Sequence, residues 1–297
     1  LVMLMGMPFW WLAGQRKKGS LVWPLLTLGG LLTMFVVIVK TGSRGGAVAM
    51  LGLVLIMLVN STFARKIKLI AGAVVALMVV LTFLPGRLER RYKTMLGGQD
   101  VDMSREEVQA AVASRESRIY TFKQSVRFTV QSPLFGIGPG MFQVAARDDS
   151  TARGDKPHWV ETHNMYTQVS SEAGIPAFVF FMATLLYCLK TSYTIYKTAQ
   201  RHAELEELAL TAYALLLSSF TFAVSGIFSN VAYALYLPTL AGIQVTFVRS
   251  AEETLKRYGL YTRDAALVRP PSRPALKRPA FKPAVSSRRV RTGASDL

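Results

Sequence analysis

A histidine at the start of an apolar run is the first residue whose chemistry stands out. His163 lies in ETHNMYTQVSSEAGIP (161–176), where a polar stretch leads into an apolar run that begins at Ile175. An imidazole is well suited to accept a proton near neutral pH, and Glu172 and Gly174 follow in the same stretch as possible supporting residues. The segment therefore contains a candidate general base, with a purely structural role at a helix start as the alternative.

The spacing of the histidines does not favour a metal site. His158 precedes His163 by five residues rather than the four of a helical ligand pair, and no HExxH pattern is present. Asp148 and Asp149 are adjacent in a stretch rich in Ser, Thr and Arg, which is typical of a solvated loop. Cys188 is the single cysteine and lies in an apolar run, where burial suppresses the reactive thiolate. We therefore expect neither a metal nor a cofactor.

Three arginines are candidates for binding an anion. Arg44 lies in TGSRGG, where Ser43 can cap a helix whose free N–H groups and dipole attract negative charge. An arginine that merely extends its guanidinium to the membrane interface is the alternative. Arg115 and Arg118 are one turn apart in 104–131, where the apolar spacing predicts an amphipathic helix. The glycines and prolines of SPLFGIGPGMF then impose turns, so an interfacial helix followed by a structural turn is the simpler interpretation.

The elements that must position these residues are membrane helices. The chain has 297 residues, 51% of them hydrophobic, with 35 Lys and Arg against 18 Asp and Glu, and its apolar and basic residues are segregated. Apolar runs near the bilayer-spanning length of about 20 residues predict an all-α, polytopic integral membrane protein with seven transmembrane segments. The runs are Leu1–Ala13, Leu21–Val39, Ala47–Val59, Ile67–Leu84, Ile175–Tyr196, Leu208–Phe228 and Val231–Val248.

Charge predicts the orientation of these segments. Short loops that contain Arg16 to Lys18, Arg65 to Lys68, and Lys197 with Arg201 carry the basic residues that mark the cytoplasmic side. The predicted organisation is then transmembrane segments in 1–84, one large outer loop region with the amphipathic helix in 85–173, and transmembrane segments in 174–248. The abrupt apolar start at Leu1 indicates a fragment that begins inside a helix rather than a signal peptide.

The last part of the chain, 249–297, reads as a basic cytoplasmic tail. It contains 12 Lys and Arg against four Asp and Glu, and its prolines interrupt any helix, so we expect disorder. The tail either contacts anionic lipid headgroups or is a solvated extension that reinforces the topology. Nucleic-acid binding is not favoured, because the tail lacks interleaved aromatic residues and any recognisable binding module.

Three features together resemble the shared C-terminal region of O-antigen ligases and O-antigen polymerases, a group that includes bacterial protein O-oligosaccharyltransferases. They are SRGG before a span, an outer-loop arginine followed by PLFGIGPGMF, and His163 followed after ten residues by Gly174. The resemblance covers Thr41 to Phe181. The family usually has more spans than the seven counted here, so the chain would lack N-terminal helices of the full-length protein.

The resemblance implies a GT-C-like, metal-independent membrane glycosyltransferase in the bacterial inner membrane, with an active site that faces the periplasm. Its donor would be an undecaprenyl-diphosphate-linked glycan, and its acceptor a hydroxyl of a lipid A core sugar, of another glycan, or of a protein. The family's essential arginine and histidine match Arg118 and His163, with Arg115 as a rival to Arg118, and Arg44 matches the arginine of the first motif. His163 would be the base, and the arginines would bind the diphosphate.

Two other classes of protein remain alternatives. A transporter or channel would use Arg44, His163 and Glu172 as a substrate or proton path, although Lys190 is the only charged residue well inside an apolar run. A structural subunit of the cell envelope would leave the arginines and His163 without a chemical task. Substitution of His163 by a residue unable to take a proton separates these classes. A glycosyltransferase would not tolerate it, whereas a transporter would keep its function or have its substrate site elsewhere. In a structural subunit, the substitution would change neither glycan linkage nor cell-surface polysaccharide.

Overall fold

The computed structural model describes residues 1–15, 22–61, 63, 66–67, 69–74, 78, 105–156 and 159–260. Within these ranges the regular structure is entirely helical. Eight α-helices and one short 3₁₀ helix, Ala203–Leu205, are assigned in them. The helices are α1 (Val2–Gln15), α2 (Val22–Lys40), α3 (Arg44–Val59), α4 (Arg105–Gln131), α5 (Phe142–Ala152), α6 (Met165–Ala199), α7 (Glu206–Gly226) and α8 (Tyr236–Arg257).

Helix α7 is the centre of the packing. It contacts α1, α3, α6 and α8, because buried small residues such as Ala212, Ala214 and Ser218 let neighbouring backbones approach closely. Ser218 donates a hydrogen bond to the carbonyl oxygen of Met5 in α1 at 3.0 Å. The side chain of Phe222 is fully buried in the main apolar cluster, so the neighbouring helices pack around α7.

Among the described residues, three helical segments are long and apolar enough to cross a membrane: Val22–Lys40, Met165–Ala199 and Ala203–Gly226. They confirm the predicted all-helical membrane class, and the shorter apolar helix Gly45–Val59 lies in the run predicted at 47–59. The run predicted at 67–84 lies largely outside the described residues. The full count of seven spans stays a prediction.

The boundary predicted at 248, between the membrane segments and the tail, falls inside a helix. Helix α8 begins at Tyr236 and continues to Arg257, so it passes the boundary expected at 248. Its buried residues recur at three- and four-residue spacing, which is the pattern of an amphipathic helix against α6 and α7. The rest of the predicted tail, from 261 onward, lies outside the described residues.

Helix α6 is broken at Gly174. The backbone there has φ 86° and ψ 174°, which separates a first piece at 165–173 from a second at 175–199. Pro176 can occupy the first turn of the second piece, where its missing N–H needs no helical partner. The second piece is about 37 Å long at the usual helical rise, which is enough to cross the hydrocarbon core of a bilayer.

Candidate active site

The loop after α4 is hydrogen-bonded to the break in α6. The amide of Ile175 donates to the carbonyl oxygen of Pro133 at 2.7 Å, and the amide of Gly138 donates to the carbonyl oxygen of Glu172 at 3.0 Å. Backbone groups freed by the break thus find partners in the loop, as buried polar groups require. The two motifs at 133–142 and 163–174, distant in sequence, form one structural unit.

Two glycines make this close approach possible. A Cβ atom on Gly174 would lie 2.4 Å from the carbonyl oxygen of Leu134, and one on Gly136 would lie 2.3 Å from the carbonyl carbon of Glu172. Both glycines also have positive φ, which other residues rarely adopt. Gly174, predicted as a supporting residue, therefore acts through the backbone.

Glu172 also supports the loop. Its side chain is buried, and its carboxylate accepts hydrogen bonds from the amides of Gly140 at 2.9 Å and Phe142 at 3.2 Å, at the start of α5. Burial, followed by the neighbouring Glu172 carboxylate, raises the pKa of Tyr233 in the loop before α8. The carboxylate is thus directed at the 133–142 loop, where its charge strengthens both bonds.

Helices α4 and α5 are joined by a partly buried carboxylate. Asp149 accepts from Arg127 at 2.9 Å, from Arg153 at 3.1 Å, and from the side-chain amide of Gln124 at 2.8 Å. The expectation that the aspartates lie in a solvated loop is wrong for Asp149, because 141–152 forms a helix that packs this residue against α4. Asp148, the preceding residue of the same helix, is exposed.

A single cavity brings Arg118 and His163 together. One wall comes from α4, the second from the segment that starts α6, and the third from the loop after α7. Arg118 and His163 are both exposed, so the cavity is open to the outside. The lining residues are Arg118, Thr121, Phe122, Ser125, His163, Asn164, Thr167, Ile227 and Phe228.

His163 is next to the helix cap but does not form it. Asn164 caps α6, since its side-chain oxygen accepts from the amides of Tyr166 at 2.9 Å and Thr167 at 3.2 Å. The hydroxyl of Tyr166 donates to the carbonyl oxygen of Ala223 in α7 at 2.8 Å, which fixes this turn on the central helix. The imidazole of His163 is therefore not needed for capping.

The electrostatic environment of His163 favours the neutral imidazole. Partial burial lowers the pKa of His163, the nearby Arg118 guanidinium lowers it further, and the Glu161 carboxylate opposes them. Glu161 is held by hydrogen bonds from the side-chain amides of Gln143 in α5 and Asn230 after α7. A neutral imidazole can accept a proton, whereas an imidazolium cannot.

The first motif reaches the same region through α3. Ser43 caps this helix as predicted, because its hydroxyl oxygen accepts from the amide of Gly46 at 3.2 Å. A Cβ on Gly45 would lie 2.5 Å from the Cβ of Phe228, a cavity-lining residue, so the start of α3 packs directly behind that wall. Helix α3 begins at Arg44, whose side chain lies outside the described part of the structure.

The structure separates the two arginines of α4. Arg115 is exposed one turn before Arg118, and among the described residues it is Arg118 and not Arg115 that lines the cavity with His163. Sequence reasoning did not find Ile227 and Phe228, the apolar wall of the cavity. The sequence placed both residues at the end of the apolar run Leu208–Phe228, and nothing in that run marks them as cavity residues.

The helical fold, with three helices among the described residues that are long and apolar enough to cross a membrane, defines an integral membrane protein. The family model described as O-antigen ligase matches residues 29–182, just over half of the chain. The chain belongs to this family, whose members are membrane glycosyltransferase-like enzymes, either ligases or polymerases. The matched range includes α3, α4 and the break in α6. A comparison with curated proteins returned no match.

Proposed function

We propose that this protein is an O-antigen ligase-like glycosyltransferase. It transfers a glycan from an undecaprenyl-diphosphate carrier to an acceptor hydroxyl on a lipid A core sugar, at the periplasmic face of the bacterial inner membrane. The observation that carries this proposal is the cavity shared by Arg118 and a His163 whose pKa is lowered. A permanent cation and a neutral base then lie in one open cavity, where a transfer from a diphosphate needs both.

In this mechanism the acceptor oxygen attacks the anomeric carbon of the donor glycan. The bond between that carbon and the diphosphate oxygen breaks, and its electron pair leaves with the diphosphate. His163 accepts the proton of the attacking hydroxyl. Arg118 binds the diphosphate and stabilises the charge that develops on it, since a guanidinium forms paired hydrogen bonds with phosphate oxygens.

Arg44 and Arg115 complete the proposed diphosphate site. Helix α3 begins at Arg44 directly behind the Phe228 wall, which supports a position near the donor. Arg115 is on the exposed side of α4, one turn from the cavity, and suits an assisting contact. A diphosphate bound by arginines needs no metal to neutralise it, so we propose a reaction independent of metal and cofactor.

The wider arrangement follows from the same proposal. Seven spans resembling the GT-C type, with 1–84 and 174–248 in the membrane and 85–173 outside, would place the cavity at the periplasmic surface. The basic tail would then lie in the cytoplasm. The break in α6 supports this placement, because it separates the short first piece, which follows His163, from the second piece, which is long enough to span the membrane.

The decisive experiment is transfer from a carrier-linked glycan by the purified full-length protein. We expect His163→Ala to lower transfer by about 10²–10⁴-fold, as for loss of a positioned base, and Arg118→Ala by roughly 10²–10³-fold. Arg118→Lys should recover only part of the activity, because an ammonium lacks the paired geometry. Arg115→Ala should cost less than Arg118→Ala, since Arg115 does not line the cavity.

Lys123→Ala is the matched control, because Lys123 is an exposed basic residue on the same helix. Transfer by wild type in chelator tests the metal-independent reaction. Unchanged transfer in both cavity variants would overturn the site assignment. The acceptor that is consumed distinguishes the ligase from the same family's polymerases and protein O-oligosaccharyltransferases.

A further inference from the structure

The inward side of helix α4 is mostly polar, with Phe128 as its buried apolar residue among the described side chains. Thr121, Gln124 and Ser125 are buried against the rest of the protein, whereas the apolar stripe predicted from the sequence faces outward. The stripe residues recur at helical spacing and are each 44% to 74% exposed. They are Val112, Ile119, Phe122 and Val126 of the predicted stripe, and Val130, which continues it by one turn. Val108, the first residue of the predicted stripe, has its side chain outside the described part of the structure.

Hydrogen bonds from the inward side to α5 and α6 specify the orientation of α4. The hydroxyls of Thr129 and Ser170 are 3.0 Å apart and share a hydrogen bond between α4 and α6. The side-chain amide of Gln124 donates to Asp149 in α5. Rotation of α4 to bury the stripe would break these bonds and leave buried polar groups without partners. We therefore expect the stripe to contact an apolar environment outside the described part of the protein.

The C-terminal end of the stripe is continuous with a surface that faces lipid. Leu134 and Phe135, which directly follow α4, are 64% and 85% exposed. Their backbone lies against Gly174, where the second piece of α6 begins. On that membrane-spanning piece, Val179 and Phe180 are 56% and 75% exposed, as expected for side chains in contact with acyl chains. The apolar surface of the span thus extends onto the end of α4.

Basic residues flank the stripe. Lys123 and Arg127 follow Phe122 and Val126 by one position each, so they lie beside the apolar residues on the exposed side of α4. The guanidinium of Arg127 is paired with Asp149, so Lys123 is the cation that we expect to meet the headgroups. This combination of an exposed apolar stripe and flanking cations is typical of helices that lie in a membrane interface, where cations meet anionic headgroups.

We propose that the C-terminal half of the α4 stripe, with Leu134 and Phe135, inserts into the bilayer leaflet next to the cavity. The occupant of this surface is the acyl region of the surrounding phospholipids, because the surface continues that of a membrane span. The cavity with Arg118 and His163 then opens at the depth of the lipid headgroups. The proposal rests on exposure and packing, and it holds whatever reaction the cavity performs.

The test is depth-dependent quenching of a fluorescent label on the full-length protein in phosphatidylethanolamine–phosphatidylglycerol vesicles. Single cysteines are introduced as Val130→Cys and Phe135→Cys, and the parental chain measures background labelling at the buried Cys188. Glu116→Cys, at an exposed position of α4, and Asp155→Cys, in the exposed turn after α5, are the matched controls. Each variant is also compared with the parental protein in thermal unfolding, so that a misfolded variant is recognised.

We expect the labels at 130 and 135 to show blue-shifted emission, strong quenching by lipid-attached nitroxides, and weak quenching by aqueous iodide. The label at 155 should show the reverse order. Aqueous quenching at 130 and 135 equal to that at 155 would overturn the proposal. Protection of these two labels from both quenchers would also overturn it, since that result means that protein covers the stripe.

Discussion

Replacing Gly174 with alanine tests whether the break in α6 organises the site. The conformation at Gly174, φ 86° and ψ 174°, lies in a region almost restricted to glycine, and a side chain there costs about 1–3 kcal/mol. The added Cβ would also lie 2.4 Å from the carbonyl oxygen of Leu134 and 2.9 Å from the amide nitrogen of Phe135. These are backbone atoms and cannot rotate away, so a shift of the loop adds about 1–3 kcal/mol.

The expected destabilisation by Gly174→Ala is therefore about 2–6 kcal/mol. In a domain of this size, each kcal/mol lowers Tm by roughly 2–4 °C, so we expect a drop on the order of 10 °C. Thermal unfolding of the purified protein in detergent measures it. Transfer activity should fall as well, because the break fixes the loop of 133–142 next to the segment that contains His163.

Gly154→Ala is the control for backbone strain alone. Gly154 has φ 78°, and among the described residues no atom lies within 4 Å of the Cβ that alanine would add. This variant should lose only about 1–2 kcal/mol and keep its transfer activity. If Gly174→Ala unfolds at the same temperature as Gly154→Ala, the close contact between the loop and α6 adds nothing to the loss of stability, and the reasoning is refuted.

Two further predictions concern the carboxylates around the cavity. Glu172→Ala leaves the amides of Gly140 and Phe142 without their acceptor and should cost about 2–5 kcal/mol in unfolding experiments. Glu172→Gln keeps one acceptor oxygen and should cost less, so equal losses would contradict the proposed role. Because the pKa of His163 is lowered from 6.5, transfer should decline with acid only below that value. Glu161 raises this pKa, so Glu161→Gln should move the acid limb to lower pH; a shift to higher pH would contradict the assignment.

Several features followed from local sequence. The cap of α3 by Ser43 was predictable because a short polar side chain before an apolar run satisfies free amides within a few residues. The all-helical membrane class followed from run length, since backbone groups in a bilayer must be paired within one segment. The amphipathic pattern also predicted the helix that the structure shows at Arg105–Gln131.

Other features depended on contacts between distant segments. The apolar periodicity of α4 does not indicate which side of the helix faces inward. The outward orientation of the apolar stripe is determined by the hydrogen bonds of Gln124 and Thr129 to α5 and α6. Asp149 looked solvated because its partners Arg127 and Gln124 lie more than twenty residues away in sequence. Pattern reasoning within a window cannot recover such pairs.

The sequence by itself determined the class of protein, the family, and the residue types able to do the chemistry, because hydropathy, charge and motif order are local properties. Only the tertiary structure decided that Arg118 rather than Arg115 shares a cavity with His163, and that Phe228 closes its apolar wall. It also made Glu172 and Gly174 parts of the scaffold. The physical reason is that a cavity is made by side chains from separate helices, whose relative positions are set by packing around α7 and by the hydrogen bonds at the break in α6.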